Sequence, residues 1–535
     1  MEKFNLKKYL FKISLIIILL ISSFLCMYSL SNYKSNNTIT QNHQFKEGGN
    51  KPNHDLNNIP NNEKLPENSP SSNETVQSNQ NGGMSIQSGN KQPEQNGNMV
   101  VPNRGMQREN TNNKYLPALT SYSVIFLILC IGSYCLFRRK NIKINLDDEK
   151  ILIVTLLAVG LFLRIASSTL MDGHNDINLF KNWASTAANG ISQFYSSAKS
   201  ADYPPFYIYF LALIGKLASI STLNSYFVLM LKIPSIIADI VTSYFIYRIG
   251  KKHLSSKMSI LLATFYIFNP AIFIDSTFWG QVDSIFTLLI VIAIFLLSEN
   301  KIVASSAVFA TAILMKPQGI IFLPILFFEL VRQKTIKNFI YAGISAIITA
   351  LIIIIPFSLN QQSPLWIINL YTKTISEYPY ASVNAFNFFG LIGGNFKDYN
   401  NELFIINYHT IGMIFIVVTT LIGWFVYIKG NNRKYVSAIA LLQIAGVFTF
   451  SVGMHERYLF PAVVLAVLAF IYLKDRRFFI LAVGFSITSY INISSVLFAS
   501  NSSMFNILLM ITSFFNIVLV VYLVKILFES AIKKV

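Results

Sequence analysis

Apolar runs of about twenty residues recur along this chain, and no other feature limits its fold so tightly. A helix rises ~1.5 Å per residue, so ~20 apolar residues cross the ~30 Å hydrocarbon core of a bilayer. A lipid-exposed run must be helical, because its backbone finds no water to bond. Twelve core spans are read near 151–170, 225–248, 258–276, 282–298, 301–315, 318–332, 337–357, 408–428, 435–453, 458–473, 478–497 and 504–526. The composition agrees: 53% of the 535 residues are hydrophobic and 13% are charged, against about 25% charged in a soluble domain. The expected fold is an all-α polytopic membrane protein, with about twelve core transmembrane helices in 150–528 and two more near the N-terminus.

Lys3, Lys7 and Lys8 precede the first apolar run. That run is longer than the ~7–15-residue core of a signal peptide and no small-residue cleavage site follows it. Residues 1–30 therefore read as a retained signal anchor. Residues 31–115 are dominated by Asn, Gln, Ser, Pro and Gly; they cannot bury enough apolar surface to offset their conformational entropy, and are expected to be a disordered extracytoplasmic spacer. A second helix, 116–140, ends at Arg138, Arg139 and Lys140. Cys26, Cys130 and Cys135 lie in apolar runs and lack metal-ligand spacing.

The net charge of +18 is distributed as the positive-inside rule distributes it, which excludes a nucleic-acid reading. One segment decides the topology. Residues 204–221, beginning Pro204-Pro205-Phe206, are apolar enough to span, and counting them would invert everything downstream. Without them, sixteen Lys and Arg fall on one side, and only Lys316, Lys373, Lys397 and Arg457 on the other. The segment is accordingly expected to be a re-entrant or interfacial helix on the outer face.

That outer face collects the polar chemistry. It receives Met171-Asp172-Gly173-His174-Asn175-Asp176, then Asp202-Tyr203-Pro204-Pro205, then Asp275 and Trp279-Gly280-Gln281-Val282-Asp283, then Lys316-Pro317. A long loop, 358–407, carries Trp366, Glu377-Tyr378-Pro379-Tyr380 and Asn384-Ala385-Phe386-Asn387, and His455-Glu456-Arg457-Tyr458 follows. Ionisable groups at the edge of hydrocarbon are costly and mark functional cavities. A transporter places such groups near the midplane of repeated halves; here they gather in one leaflet and no internal repeat is evident. A reaction or binding event at the outer surface fits this pattern, with a lipid-linked glycan transporter or flippase as the alternative.

The Asp176 loop, Asp202-Tyr203-Pro204-Pro205, Trp279-Gly280-Gln281-Val282-Asp283 and His455-Glu456-Arg457-Tyr458 resemble bacterial mannosyltransferase-like proteins related to the second mannosyltransferase of GPI-anchor synthesis. These belong to the GT-C superfamily of integral-membrane glycosyltransferases. The Tyr-Pro-Pro and His-Glu elements are also similar to those of lipid-linked-oligosaccharide glucosyltransferases. The resemblance covers about 150–500. It implies a GT-C-type bundle in the plasma membrane that moves a hexose, mannose by the closest likeness, from a polyprenyl-phosphate sugar donor with inversion. The acceptor is a lipid, a glycan or a protein; with a protein, the chain is a protein O-mannosyltransferase. No cofactor, metal or nucleic acid is expected.

The residues fit that chemistry. An acceptor hydroxyl needs a general base, and a lipid phosphate leaves without protonation but gains charge that a fixed cation stabilises. The superfamily draws its base from the first outer loop, which implies Asp176, with Asp172 as competitor and His174 as orienting group. Arg457 offers a forked donor for the phosphate, and Lys316 is a second cation unless it merely snorkels. His455 and Glu456 bind sugar or order Arg457. Trp279, Gln281 and Asp283 suit a sugar site, although an interfacial tryptophan is often only an anchor. Asp202 and Tyr203 shape an acceptor groove or simply precede a helix. Asp172, Asp176 and Asp283 have no spacing that requires a metal. Arg164 and Asp239 fall inside spans and are expected to pair with each other.

Overall fold

The computed structural model describes residues 6–33, 112–139, 146–198, 200–498 and 502–532, all within one compact unit. Nearly all of the Asn/Gln/Ser-rich stretch, together with Lys3, Lys140, Lys533 and Lys534, lies outside the described residues.

Each of the twelve core runs is helical. They form Leu146–Ser168, Phe227–His253, Ser256–Ile267 with Pro270–Ile274, Asp283–Ser298, Ile302–Met315, Leu323–Gln333, Ile336–Ser358, Tyr408–Gly430, Val436–Phe450, Pro461–Leu473, Arg477–Leu497 and Ser502–Ile532. Leu6–Ser31 and Leu116–Arg139 precede them. Among the described residues, eight helices are long and apolar enough to cross a membrane, or nine if one bent pair counts as a span. The chain is thus an all-α polytopic membrane protein.

Side-chain pattern decides which helices face lipid. Pro461–Leu473 is apolar on every side and buried from Pro461 to Tyr472, as a central helix must be. Ile336–Ser358 exposes Ile340, Ile344, Ile347, Leu351 and Ile355. These recur every three or four residues, which draws one lipid-facing stripe.

The third core span departs from the continuous helix expected over 258–276. It bends by 40° between Ile267 and Pro270, because proline has no N–H to donate and clashes with the preceding turn. Asn269 caps the new segment by accepting from the Ala271 amide at 3.0 Å. The chain then widens into a π turn, Asp275–Trp279, where the amides of Gly280 and Gln281 both donate to the Asp275 carbonyl at 2.9 and 3.1 Å.

Residues 204–221 yield a 14-residue helix, Pro205–Ala218. It packs along Asp176–Asn189 so closely that a Cβ on Gly215 would overlap the Ala184 carbonyl. Both flanks of this pair stay at one end of the bundle: Tyr203 reaches Gln281, and the Lys181 ammonium lies 5.9 Å from the Phe227 ring centre. The buried pair Arg164–Asp239 is present at 3.2 Å and joins the first two core helices.

The 358–407 loop contains more structure than its sequence suggested, namely a helix, Trp366–Ser376, and a small antiparallel pair, Glu402–Leu403 with Ile406–Asn407. Its Asn384-Ala385-Phe386-Asn387 stretch is tied to the bundle through side-chain amides. Asn492 accepts from the Phe386 amide at 2.9 Å and donates to the Asn384 carbonyl at 2.7 Å, while Asn516 donates to the Phe386 carbonyl at 2.8 Å.

Candidate active site

Two glycines with positive φ open the site. Gly173 (φ 115°) and Gly280 (φ 83°) let the loop after Leu146–Ser168 lie against the turn after the π segment. The His174 amide donates to the Trp279 carbonyl at 3.1 Å and joins the two. A Cβ on Gly173 would stand 2.8 Å from that same carbonyl. Beneath them, the Ser235 hydroxyl donates to the Gln281 carbonyl at 2.6 Å. Lys232, wholly buried in Phe227–His253, donates from Nζ to the carbonyls of Met171 (2.6 Å) and Ser168 (3.2 Å). Its apolar neighbours in sequence gave no sign that it caps the helix leading to the Asp176 loop.

Asp176 occupies the centre. Its Oδ2 accepts from the Gln281 side-chain amide and, at 3.4 Å, from the Trp279 indole N–H. Arg457 Nη1 is 3.5 Å from Oδ2, and His174 Nδ1 is 3.5 Å from Oδ1. The Asp176 side chain is 33% exposed, so solvent and small molecules reach it. Burial acts to raise its pKa, but the His174 contact and the Arg457 charge outweigh it. They hold the carboxyl well below the usual carboxylate range.

Arg457 is nearly buried and touches four partners: Glu456 at 3.1 Å, Asp176 at 3.5 Å, Asp283 at 3.6 Å, and the Trp279 ring centre at 4.6 Å. Lys316 precedes Pro317, which favours an extended backbone there (φ −149°, ψ 139°). Its ammonium lies 2.6 Å from Asp283 Oδ1 and within 6 Å of the Tyr203 and Tyr458 rings. A snorkelling lysine turns its head to water, whereas this one is buried and paired. Asp283, 1% exposed, therefore bridges the two cations.

The remaining predicted residues divide. Trp279 is 1% exposed, with the Arg457 guanidinium and the His174 ring (4.7 Å) against it, and shows no open face for a sugar. Gln281 is spent on Asp176, apart from a long 3.5 Å contact from the Tyr203 hydroxyl. Glu456 is buried against Arg457, and burial raises its carboxyl. His455 packs between the rings of Tyr378 (4.6 Å) and Tyr458 (5.0 Å). Burial and the charges of Arg457 and Lys316 push it down to about 3, so it is neutral at pH 7. Asp202 is half-buried with one oxygen lacking a hydrogen bond; burial and the Glu377 charge push it up to about 7. Asp172 meets neither cation of the centre and acts instead on Lys181 and Lys232. Asp275, fully buried beside Asp283, is a further carboxyl group of the centre.

A carboxylate open to solvent thus stands beside two buried cations that Asp283 bridges. Residues 202–359 match the family model for dolichyl-phosphate-mannose-protein mannosyltransferase. That match opens on Asp202-Tyr203-Pro204-Pro205 and includes the Trp279–Asp283 turn and Lys316. A search among curated proteins returned no match. Fold and family match together define a helical membrane enzyme, a glycosyltransferase. More narrowly, it is of the mannosyltransferase type.

Proposed function

We propose that this chain moves mannose from a polyprenyl-phosphate donor to an acceptor hydroxyl, with inversion, on the extracytoplasmic side of the plasma membrane. The observation that carries the reading is the joining of Asp176, Arg457, Asp283 and Lys316 into one cluster at one end of the bundle. Asp176 is the base. It is ionised at neutral pH, a third exposed, and oriented by Gln281 and Trp279. Arg457 and Lys316 hold the donor phosphate and stabilise the charge it gains as the anomeric C–O bond breaks. The Asp176–Arg457 contact is long, so a phosphate competes for the guanidinium with little loss. Once Arg457 turns to the phosphate, its lowering effect on Asp176 weakens and the carboxylate becomes a stronger base for the acceptor proton. The neutral His455, wedged between tyrosines, lines this centre without adding charge.

A protein serine or threonine hydroxyl as acceptor is favoured by the matched family, whose description specifies protein mannosylation. The test incubates purified protein with labelled polyprenyl-phosphate mannose and identifies what becomes labelled, with Asp176→Asn alongside. We expect transfer to fall by about 10²–10⁴-fold in the variant, with the thermal transition retained. Full transfer by Asp176→Asn sinks the base assignment, and labelling of lipid alone sinks the protein acceptor.

A further inference from the structure

At the end of the bundle opposite this site, a cavity of about 390 Å³ opens where several helices terminate. His253, Glu299, Arg332, Arg433, Lys434 and Tyr472 are among its walls. Directly behind it lies Glu329, wholly buried at the end of Leu323–Gln333. Its carboxylate accepts from Arg332 Nε and Nη2 at 2.7 and 2.8 Å and from Arg433 Nε at 2.7 Å. Tyr427 and Gln333 also donate to it.

One buried anion thus fixes two guanidinium groups and leaves the outer edge of Arg433 unspent. Among the described residues, no hydrogen-bond acceptor meets the two terminal nitrogens of Arg433 or the Lys434 ammonium, whereas Arg332 also meets the Tyr427 hydroxyl. The buried Nε2 of His253 also lacks a hydrogen bond. Glu299, the acidic wall residue, is matched by Lys252 at 3.3 Å. The walls therefore carry a surplus of positive charge, with donors already oriented so that a ligand has little ordering to impose.

We propose that this cavity binds a phosphate group, carried by an anionic lipid headgroup or free in solution. The Arg433 guanidinium edge matches the spacing of phosphate oxygens, and Lys434 adds a point charge. Glu329 is the positioning residue that holds both arginines. The inference is independent of the transfer chemistry, which is placed at the other end.

The test uses the full-length purified protein. One arm titrates inorganic phosphate and follows binding by calorimetry. The other presents mixed micelles of phosphatidylglycerol and phosphatidylcholine and counts retained lipid by native mass spectrometry. Both are repeated with Arg433→Gln and with Lys434→Gln; the second leaves the Glu329 network intact and controls for folding. A charge-assisted hydrogen bond is worth about 1.5 kcal/mol or more, so each variant should weaken binding at least about tenfold. Variant-sensitive binding of phosphate alone assigns a soluble ligand, and variant-sensitive preference for phosphatidylglycerol assigns a lipid headgroup. Absence of both, or binding unchanged in the two variants, overturns the proposal.

Discussion

Replacing Arg457 with glutamine removes a side chain that meets three carboxylates and an indole at once. The structure allows the consequence to be divided into two parts. As a donor to charge that develops in the transition state, Arg457 should be worth about 10²–10³ in kcat, the loss seen when a preorganised donor of this kind is deleted. As a buried counter-ion, its loss leaves Glu456 and Asp176 without it, and Asp283 with only Lys316; breaking a buried pair costs about 3–5 kcal/mol of stability. Arg457→Lys separates the two. It keeps the charge and gives up the fork, so the thermal transition should stay near that of the unaltered protein while kcat falls roughly tenfold, one charged hydrogen bond's worth. The assay is transfer from labelled polyprenyl-phosphate mannose, with kcat normalised to the folded fraction. The expected order is Arg, then Lys, then Gln. Transfer by folded Arg457→Gln within about threefold of the unaltered protein would refute the clamp, since it sets the group's contribution below one ordinary hydrogen bond.

The pH profile tests Asp176 as the base. Asp176, held well below the usual range, stays deprotonated, so kcat/KM should be flat between about pH 5 and 8; a fall below pH 7 would transfer the role to Asp202, which titrates at about 7. Asp202 also affects stability. Its folded pKa lies above the unfolded value of about 3.9, so its stabilising contribution is full below about pH 3.9 and is lost progressively as pH rises from there through about 7. Asp202→Asn should therefore raise the thermal transition most at pH 8, by an intermediate amount at pH 5, and change it little at pH 3. Lys232→Met removes the two donors that cap the chain before the Asp176 loop; kcat should drop, with a smaller change in apparent donor affinity, as measured by steady-state transfer. Arg164→Met strands Asp239 and should destabilise by about 3–5 kcal/mol, whereas Arg164→Met with Asp239→Leu should recover most of that by thermal unfolding.

The amino-acid sequence by itself determined where the apolar helices run and the sorting of charge along them. Hydrocarbon demands helices of apolar residues, and this demand is local, so it is written run by run. Arg164 and Asp239 were likewise legible as a pair, because two charges inside apolar spans have few other ways to be neutralised. The candidate site was legible as a set of loops sharing one end. What the tertiary structure decided was which side chain each loop delivers to which partner. Asp283 looked like a sugar ligand and proves to bridge two cations; Lys316 looked able to snorkel and is buried; Trp279 has no free face. Lys232 was hidden among apolar neighbours, since hydropathy reports the surroundings of a charge and not its contacts. The bend at Pro270 and the wide turn after it set the angle at which Trp279 and Gln281 meet Asp176. Contacts among residues 176, 281, 283, 316 and 457 join segments far apart in the chain, and no spacing along the sequence encodes the distances between them.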